Sequence, residues 1–259
     1  MKLVHITIAL LLAFTTVIAQ TPWNNKRAAV VLTYDDGIDG HLDKVIPALD
    51  TFGLKGTFYL IVGSPIIPKR FKEWKAAAAH GHELGNHSLK HPCTGGPGRE
   101  FITAETDLRN YTITRAEREI RLANSMLKNV DGKDRRTFAY PCGDMIIRDT
   151  LFYDGLEGDF VAARGVKSEM NTMGKVDLND INAYFINGSS GKYMTDLVDK
   201  AVESNSLLVF LFHGVGGGHS LNVGLPEHHV LLQYLKDHEK DVWVCTMVDA
   251  ATWVREKQK

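Results

Sequence analysis

The regular alternation of β-rich runs with helix-spaced segments constrains this chain more than any other feature. Residues 28–33 (Ala-Ala-Val-Val-Leu-Thr) read as a buried strand, with a turn at 34–37. Leu42, Val45, Ile46, Leu49 and Phe52 then recur at helical spacing, and Gly53 stands where a helix would end. Residues 57–62 read as the next strand, 71–80 as a helix with Gly81 beyond it, and 82–84 as a short strand. Thr114 and Glu117 make a capping box for a helix reaching about residue 129, followed by a strand at 137–139. Further strands are expected at 160–163, 181–186, 207–212 and 242–245, with helices at about 193–203, 226–238 and 248–256. Such an α/β order calls for a parallel sheet with helices outside, and the number of units favours closure into a (β/α) barrel. The Gly- and Pro-rich stretch 91–103 is the longest irregular segment and is expected to border a site, so the chain reads as a single domain.

The N-terminus carries its own signal. Lys2 precedes an apolar run from Ile6 to Ile18, and Val17 and Ala19 suit a cleavage site, so residues 1–19 read as a secretory signal peptide and 20–259 as the mature domain. The run is too short for a comfortable membrane span, and the chain is expected to be exported, periplasmic or secreted, without membrane insertion after cleavage. Losing Lys2 takes the formal charge from −1 to −2. That near-neutrality offers no electrostatic footprint for nucleic acid or an anionic membrane, and an uncharged substrate is the default. Cys93, Cys142 and Cys245 are odd in number and match no cysteine-based zinc motif, so at most one internal bridge can form.

In parallel α/β barrels the chemistry lies at the carboxyl ends of the strands. The reactive side chains fall there: Asp35 and Asp36 after the first strand, His87 and His91 after the third, Tyr140 to Asp144 after the 137–139 strand, and His213 after the apolar run 207–212. His87 and His91 are four apart, which lets two imidazoles share a face if that turn is helical. Two histidines and one carboxylate leave positions open on a divalent metal, and the adjacent acids suggest a division of labour, one ligating and one taking a proton from water. His213, approached through apolar residues, suits a general acid. The same ligand set also suits a non-haem iron oxygenase, and a third reading is a non-catalytic sugar-binding module; Asp35 and His213 argue against both.

The residues Thr33-Tyr-Asp-Asp-Gly37, Gly81-His-Glu-Leu-Gly-Asn-His-Ser-Leu-Lys-His91, Phe138-Ala-Tyr-Pro-Cys-Gly143 and Leu211-Phe-His213 occur in the order of four sequence motifs. On these the chain resembles the polysaccharide deacetylases, the NodB-homology domains of carbohydrate esterase family 4. The resemblance implies a distorted (β/α) barrel and a divalent metal, zinc first with cobalt, nickel or manganese as alternatives, on Asp36, His87 and His91. It implies Asp35 as general base, His213 as general acid and the Cys142 N–H as an oxyanion donor. The implied reaction is hydrolytic deacetylation of an acetylated carbohydrate, N-acetyl of an amino sugar first and O-acetyl, as in acetyl xylan, second. Tyr140 and Arg164 are expected near the substrate. Ala139 stands where many members carry an Arg that holds the base, and Arg164 is the candidate to take over that task. Asp180 is the candidate for an otherwise missing Asp-Trp motif, and Cys93 and Cys142, on two loops that should border the metal, are expected to pair.

Overall fold

The structure, a computed structural model, describes residues 22–258, and the expected signal peptide lies outside the described residues. Nine strands make the main sheet: β1 (Ala28–Asp36), β2 (Thr57–Leu60), β3 (Glu83–Asn86), β4 (Phe138–Ala139), β5 (Ala163–Arg164), β6 (Asn171–Thr172), β7 (Tyr184–Phe185), β8 (Ser206–Phe212) and β9 (Val242–Cys245). The order is β5-β4-β3-β2-β1-β8-β6, with β9 also on β1 and β7 on β8. All pairings are parallel except that of β6 with β8.

β1 is the axis of the fold. One edge pairs with β8 from Ala29↔Leu207 to Tyr34↔Phe212, while the other takes β9 along Ala28–Val31 and then β2 along Thr33–Asp36. A strand covered on both faces is apolar throughout rather than alternating, which is what the run from Ala28 to Leu32 encodes. The turn expected at 34–37 gives way to strand as far as Asp36, because the ladder continues through Asp35↔Tyr59 and Asp36↔Leu60.

Alternate residues of β1 serve two cores. Val30, Leu32 and Tyr34 join the larger one, between the sheet and the helices α1 (Ile46–Phe52), α2 (Phe71–Ala79), α3 (Ile113–Asp131), α4 (Gly191–Ser204) and α5 (Leu225–Asp237). Ala29 and Val31 face the other, with Leu207, Val209 and Leu211 of β8 and the C-terminal helix α6 (Met247–Lys257). A strand repeats every two residues, so Asp35 continues the Ala29, Val31 and Thr33 side and ends at the interior of the curled sheet.

The strands curl into a half-barrel with helices outside, a single domain of the NodB-type (β/α) barrel. The free edge of β5 meets no further strand among the described residues, only the segment that precedes β7, through the isolated bridge Arg164↔Ile181 and neighbouring hydrogen bonds such as Ala163 N–H to the Leu178 carbonyl (2.8 Å), so the barrel is distorted. Several boundaries differ from the sequence reading; the strand expected at 181–186, for example, is confined to Tyr184–Phe185. The long helix begins at Ile113, and Thr112 rather than Thr114 caps it, its Oγ1 accepting from the Arg115 N–H at 3.2 Å. Residues 160–162 are buried but irregular, and the strand is confined to Ala163–Arg164. Among the described residues, no helix is long and apolar enough to cross a membrane.

Candidate active site

The carboxyl ends of the parallel strands open onto a cavity of about 820 Å³, lined among others by Asp35, Asp36, His87, His91, Cys142 and His213. Side chains separated by up to 178 positions thus meet at one rim.

Asp36 Oδ1 lies 3.6 Å from His87 Nε2 and 3.7 Å from His91 Nε2. It is buried and has no hydrogen-bond partner among the described residues. His87 Nδ1 is 2.9 Å from the Ala139 carbonyl, which can only accept, so the ring's proton sits on Nδ1 and Nε2 presents a lone pair. Burial holds the His87 pKa down to about 4 and that of His91 to about 3, with the neighbouring His87 adding to the effect on His91. Both rings are therefore neutral near pH 7. Burial, reinforced by the adjacent Asp35 charge, pushes the Asp36 carboxyl up to about 7. The His87 Nε2 lone pair, the neutral His91 ring and a carboxylate oxygen without a hydrogen-bond partner converge on one point, and this donor set fits a divalent metal.

The segment carrying the histidines is not the helical turn their spacing suggested. Residues 87–92 are irregular, with Ser88 at φ 65° and His91 at φ 53°, and the two rings meet edge to face at 4.7 Å. Asn86 Oδ1 accepts from the Ser88 N–H at 2.7 Å and Ser88 Oγ from the His91 N–H at 2.9 Å, so side chains fold this loop. Asp36 (φ 78°) and Cys142 (φ 56°) also occupy the left-handed region. Non-glycine residues there cost about 1–2 kcal/mol each, and four of them around one cavity mark a place where geometry overrides backbone preference.

Asp35 is almost fully buried and is clasped by Arg164, whose Nη2 lies 2.6 Å from Oδ1 and 2.5 Å from Oδ2. Burial alone would raise the Asp35 pKa, but Arg164, His87 and His213 outweigh it and the net direction is down. Arg164 comes from β5, beside Ala139 of β4 through the pairing Ala139↔Arg164. It has no exposed surface, which corrects the expectation that it contacts substrate: its guanidinium is committed to Asp35 and the Gly165 carbonyl (3.1 Å). Tyr140 does line the cavity, but its hydroxyl donates to the Asn179 carbonyl at 2.7 Å.

His213 follows β8, with its backbone carbonyl accepting from His41 Nε2 at 2.8 Å. Burial holds its pKa down to about 4. Its Nδ1 is buried without a hydrogen-bond partner among the described residues. Asp180 does not supply one, since it lies against Gly165, where an added Cβ would fall 1.8 Å from Asp180 Oδ1. Cys93 and Cys142 form a disulfide with 5.9 Å between their Cα atoms, joining the His91 loop to the loop after β4. Cys93 Sγ lies 3.6 Å from His91 Nδ1.

One residue escaped the sequence reading. His219 stacks on His213 with ring centroids 4.9 Å apart and brings its Nε2 within 3.5 Å of Asp36 Oδ2. Nothing in the sequence around it marks it as a site residue, because it arrives through the glycine-rich loop that follows β8.

Comparison with known proteins places the fold and the family. The polysaccharide deacetylase family profile matches residues 24–153. The peptidoglycan-N-acetylmuramic acid deacetylase PdaA of Bacillus subtilis is 26% identical over 123 residues, a match spanning 46% of this chain and 39% of that relative's length. A crystal structure assigned as a polysaccharide deacetylase from Mycobacterium smegmatis superposes with a TM-score of 0.64 at 15% identity, covering 94% of this chain and 96% of that one. A family 4 acetyl xylan esterase from Clostridium thermocellum, in complex with a cobalt ion, gives 0.53 at 18% identity over 86% and 90%. With its half-barrel fold and the profile match over half its length, the chain belongs to the polysaccharide deacetylase family.

Proposed function

We propose that the protein is an exported, metal-dependent hydrolase that removes acetyl groups from a carbohydrate, with the N-acetyl group of an amino-sugar polymer or oligomer as first choice. The observation that carries this reading is the convergence of Asp36 Oδ1 with His87 Nε2 and His91 Nε2, beside a second carboxylate held ionised by Arg164. Asp36, His87 and His91 would hold a divalent metal, zinc first among the candidates, which would supply Lewis acidity toward the acetyl carbonyl and the attacking water. Asp35 takes the proton from that water, and the Arg164 clasp keeps it ionised to do so. The N–H of Cys142, on a loop tied down by the disulfide, serves the oxyanion of the tetrahedral intermediate. His213 is placed to deliver to the departing sugar nitrogen, or to oxygen in the ester case, a proton that it first takes up during the reaction, since burial keeps its resting ring neutral near pH 7.

The cavity wall supports a sugar substrate. Phe101 is 63% exposed and Phe185 41%, and both border the site, where aromatic faces can pack against the C–H faces of pyranose rings. Export rests on the apolar N-terminal run and agrees with the disulfide. O-deacetylation uses the same groups and remains the second reading. The test is acetate release by metal-loaded protein across chitin oligomers, peptidoglycan and acetylated xylan. Release from either of the first two supports the amide reading, release from xylan alone moves it to the ester, and release from none rejects the assignment.

A further inference from the structure

We propose that His219 is a positioning residue for Asp36: a hydrogen-bond donor to Oδ2 that leaves Oδ1 free to face the two histidines. This rests on the metal-site reading above. The His219 tautomer is set by the backbone, because the Leu221 N–H donates to its Nδ1 at 3.0 Å. Nδ1 thus carries a lone pair, and the ring proton of neutral His219 lies on Nε2, the atom 3.5 Å from Asp36 Oδ2. A nitrogen carrying that proton donates and does not ligate. His87 shows the opposite arrangement, with Nδ1–H on the Ala139 carbonyl and Nε2 free. The two oxygens of Asp36 therefore face different chemistry: Oδ1 meets the lone pair of His87 Nε2, and Oδ2 meets an N–H.

The loop that brings His219 there is built for it. Gly216, Gly217 and Gly218 have φ of 66°, 105° and 85°, a run that side-chain-bearing residues would adopt only at a cost. Gly214 and Gly216 donate to the Leu221 and Val223 carbonyls at 2.9 and 2.8 Å, and the Gly217 N–H donates to Asn222 Oδ1 at 2.7 Å. Lys44 Nζ holds the Gly216 carbonyl at 2.5 Å, and a Cβ on Gly216 would fall 2.3 Å from Leu225 Cγ. The ring stacked on His213 is thereby held on a short, multiply anchored turn. Outer partners that orient a metal ligand are typically worth 10- to 100-fold in metal affinity.

The test is zinc affinity, read by competition with a fluorescent chelator, for the wild type, His219→Ala, His219→Gln, His87→Ala and Asp36→Ala, with circular dichroism to verify folding. His219→Ala should bind zinc about 10- to 100-fold more weakly. His219→Gln, whose side-chain amide offers an N–H in place of the Nε2 donor, should return most of that loss. Unchanged affinity in His219→Ala overturns the proposal, as does a His219→Gln loss equal to that of His219→Ala. A loss in both as deep as that of His87→Ala would make His219 a ligand and overturn it too. Wild-type affinity in Asp36→Ala would instead reject the metal site itself.

Discussion

Replacing Arg164 with Met tests the electrostatic design of the site at its most buried point. Arg164 is fully buried, Asp35 is 3% exposed, and one guanidinium nitrogen reaches both carboxylate oxygens. Met fills a similar volume but leaves a buried carboxylate without its cation, a change that typically costs about 3–5 kcal/mol. With a urea dependence of about 3 kcal/mol per molar, the midpoint should fall by about 1–2 M at pH 7. The sign with pH also inverts. In the wild type the Asp35 pKa is depressed, so its contribution is present above the unfolded value near 3.9 and is lost as pH falls through the lower folded value. Without Arg164 burial prevails, the folded pKa rises above the unfolded one, and the destabilisation is relieved as pH falls. A base that must be ionised then loses activity from its new, higher pKa downward, so the acid limb of the kcat/KM profile moves to higher pH. Urea melts and a pH–rate profile on the same preparations read both effects. An unchanged midpoint together with an unmoved acid limb would refute the reasoning.

Further predictions concern the reaction, the disulfide and the buried histidines. Asp35→Asn should keep zinc affinity while lowering kcat by about 10²- to 10⁴-fold, the usual worth of a general base; acetate release at the wild-type rate would remove Asp35 from that role. Replacing Cys93 and Cys142 with Ser opens a link between residues 49 apart, and the loop-entropy estimate is a loss of about 4 kcal/mol, to be measured by urea denaturation. His41 and His228 are both buried, with pKa values held down to about 4 by burial. A buried His kept neutral contributes stability above its unfolded pKa near 6.5, and that stability is lost as pH falls toward 4. Each group corresponds to about 3 kcal/mol at most, so chemical melts from pH 7 to 4 should show a steep decline that weakens in His228→Gln.

The fold was legible in the sequence wherever burial forced a pattern. The runs at Ala28 and Leu207 are apolar because both faces of their strands are covered, and they became the two central strands. Periodicity failed where side chains rather than backbone propensity shape the chain. The His87–His91 loop is folded by Asn86 and Ser88, so its spacing brought the two imidazoles together without a helix. Ala139 left a gap beside Asp35 that only the adjacent strand explains, since Arg164 enters across the β4–β5 pairing. His219 was invisible because the glycine run 216–218 announces a turn without saying where the turn delivers the next side chain, and because the backbone N–H that selects its tautomer leaves no residue pattern.

The most direct test of the central claim is acetate release by wild type and His87→Ala, each stripped with a chelator and then titrated with zinc. The account predicts that stripping abolishes release by the wild type, that about one equivalent of zinc per chain restores it, and that His87→Ala is not restored. Undiminished release from the stripped wild type, or full recovery of His87→Ala, would contradict it.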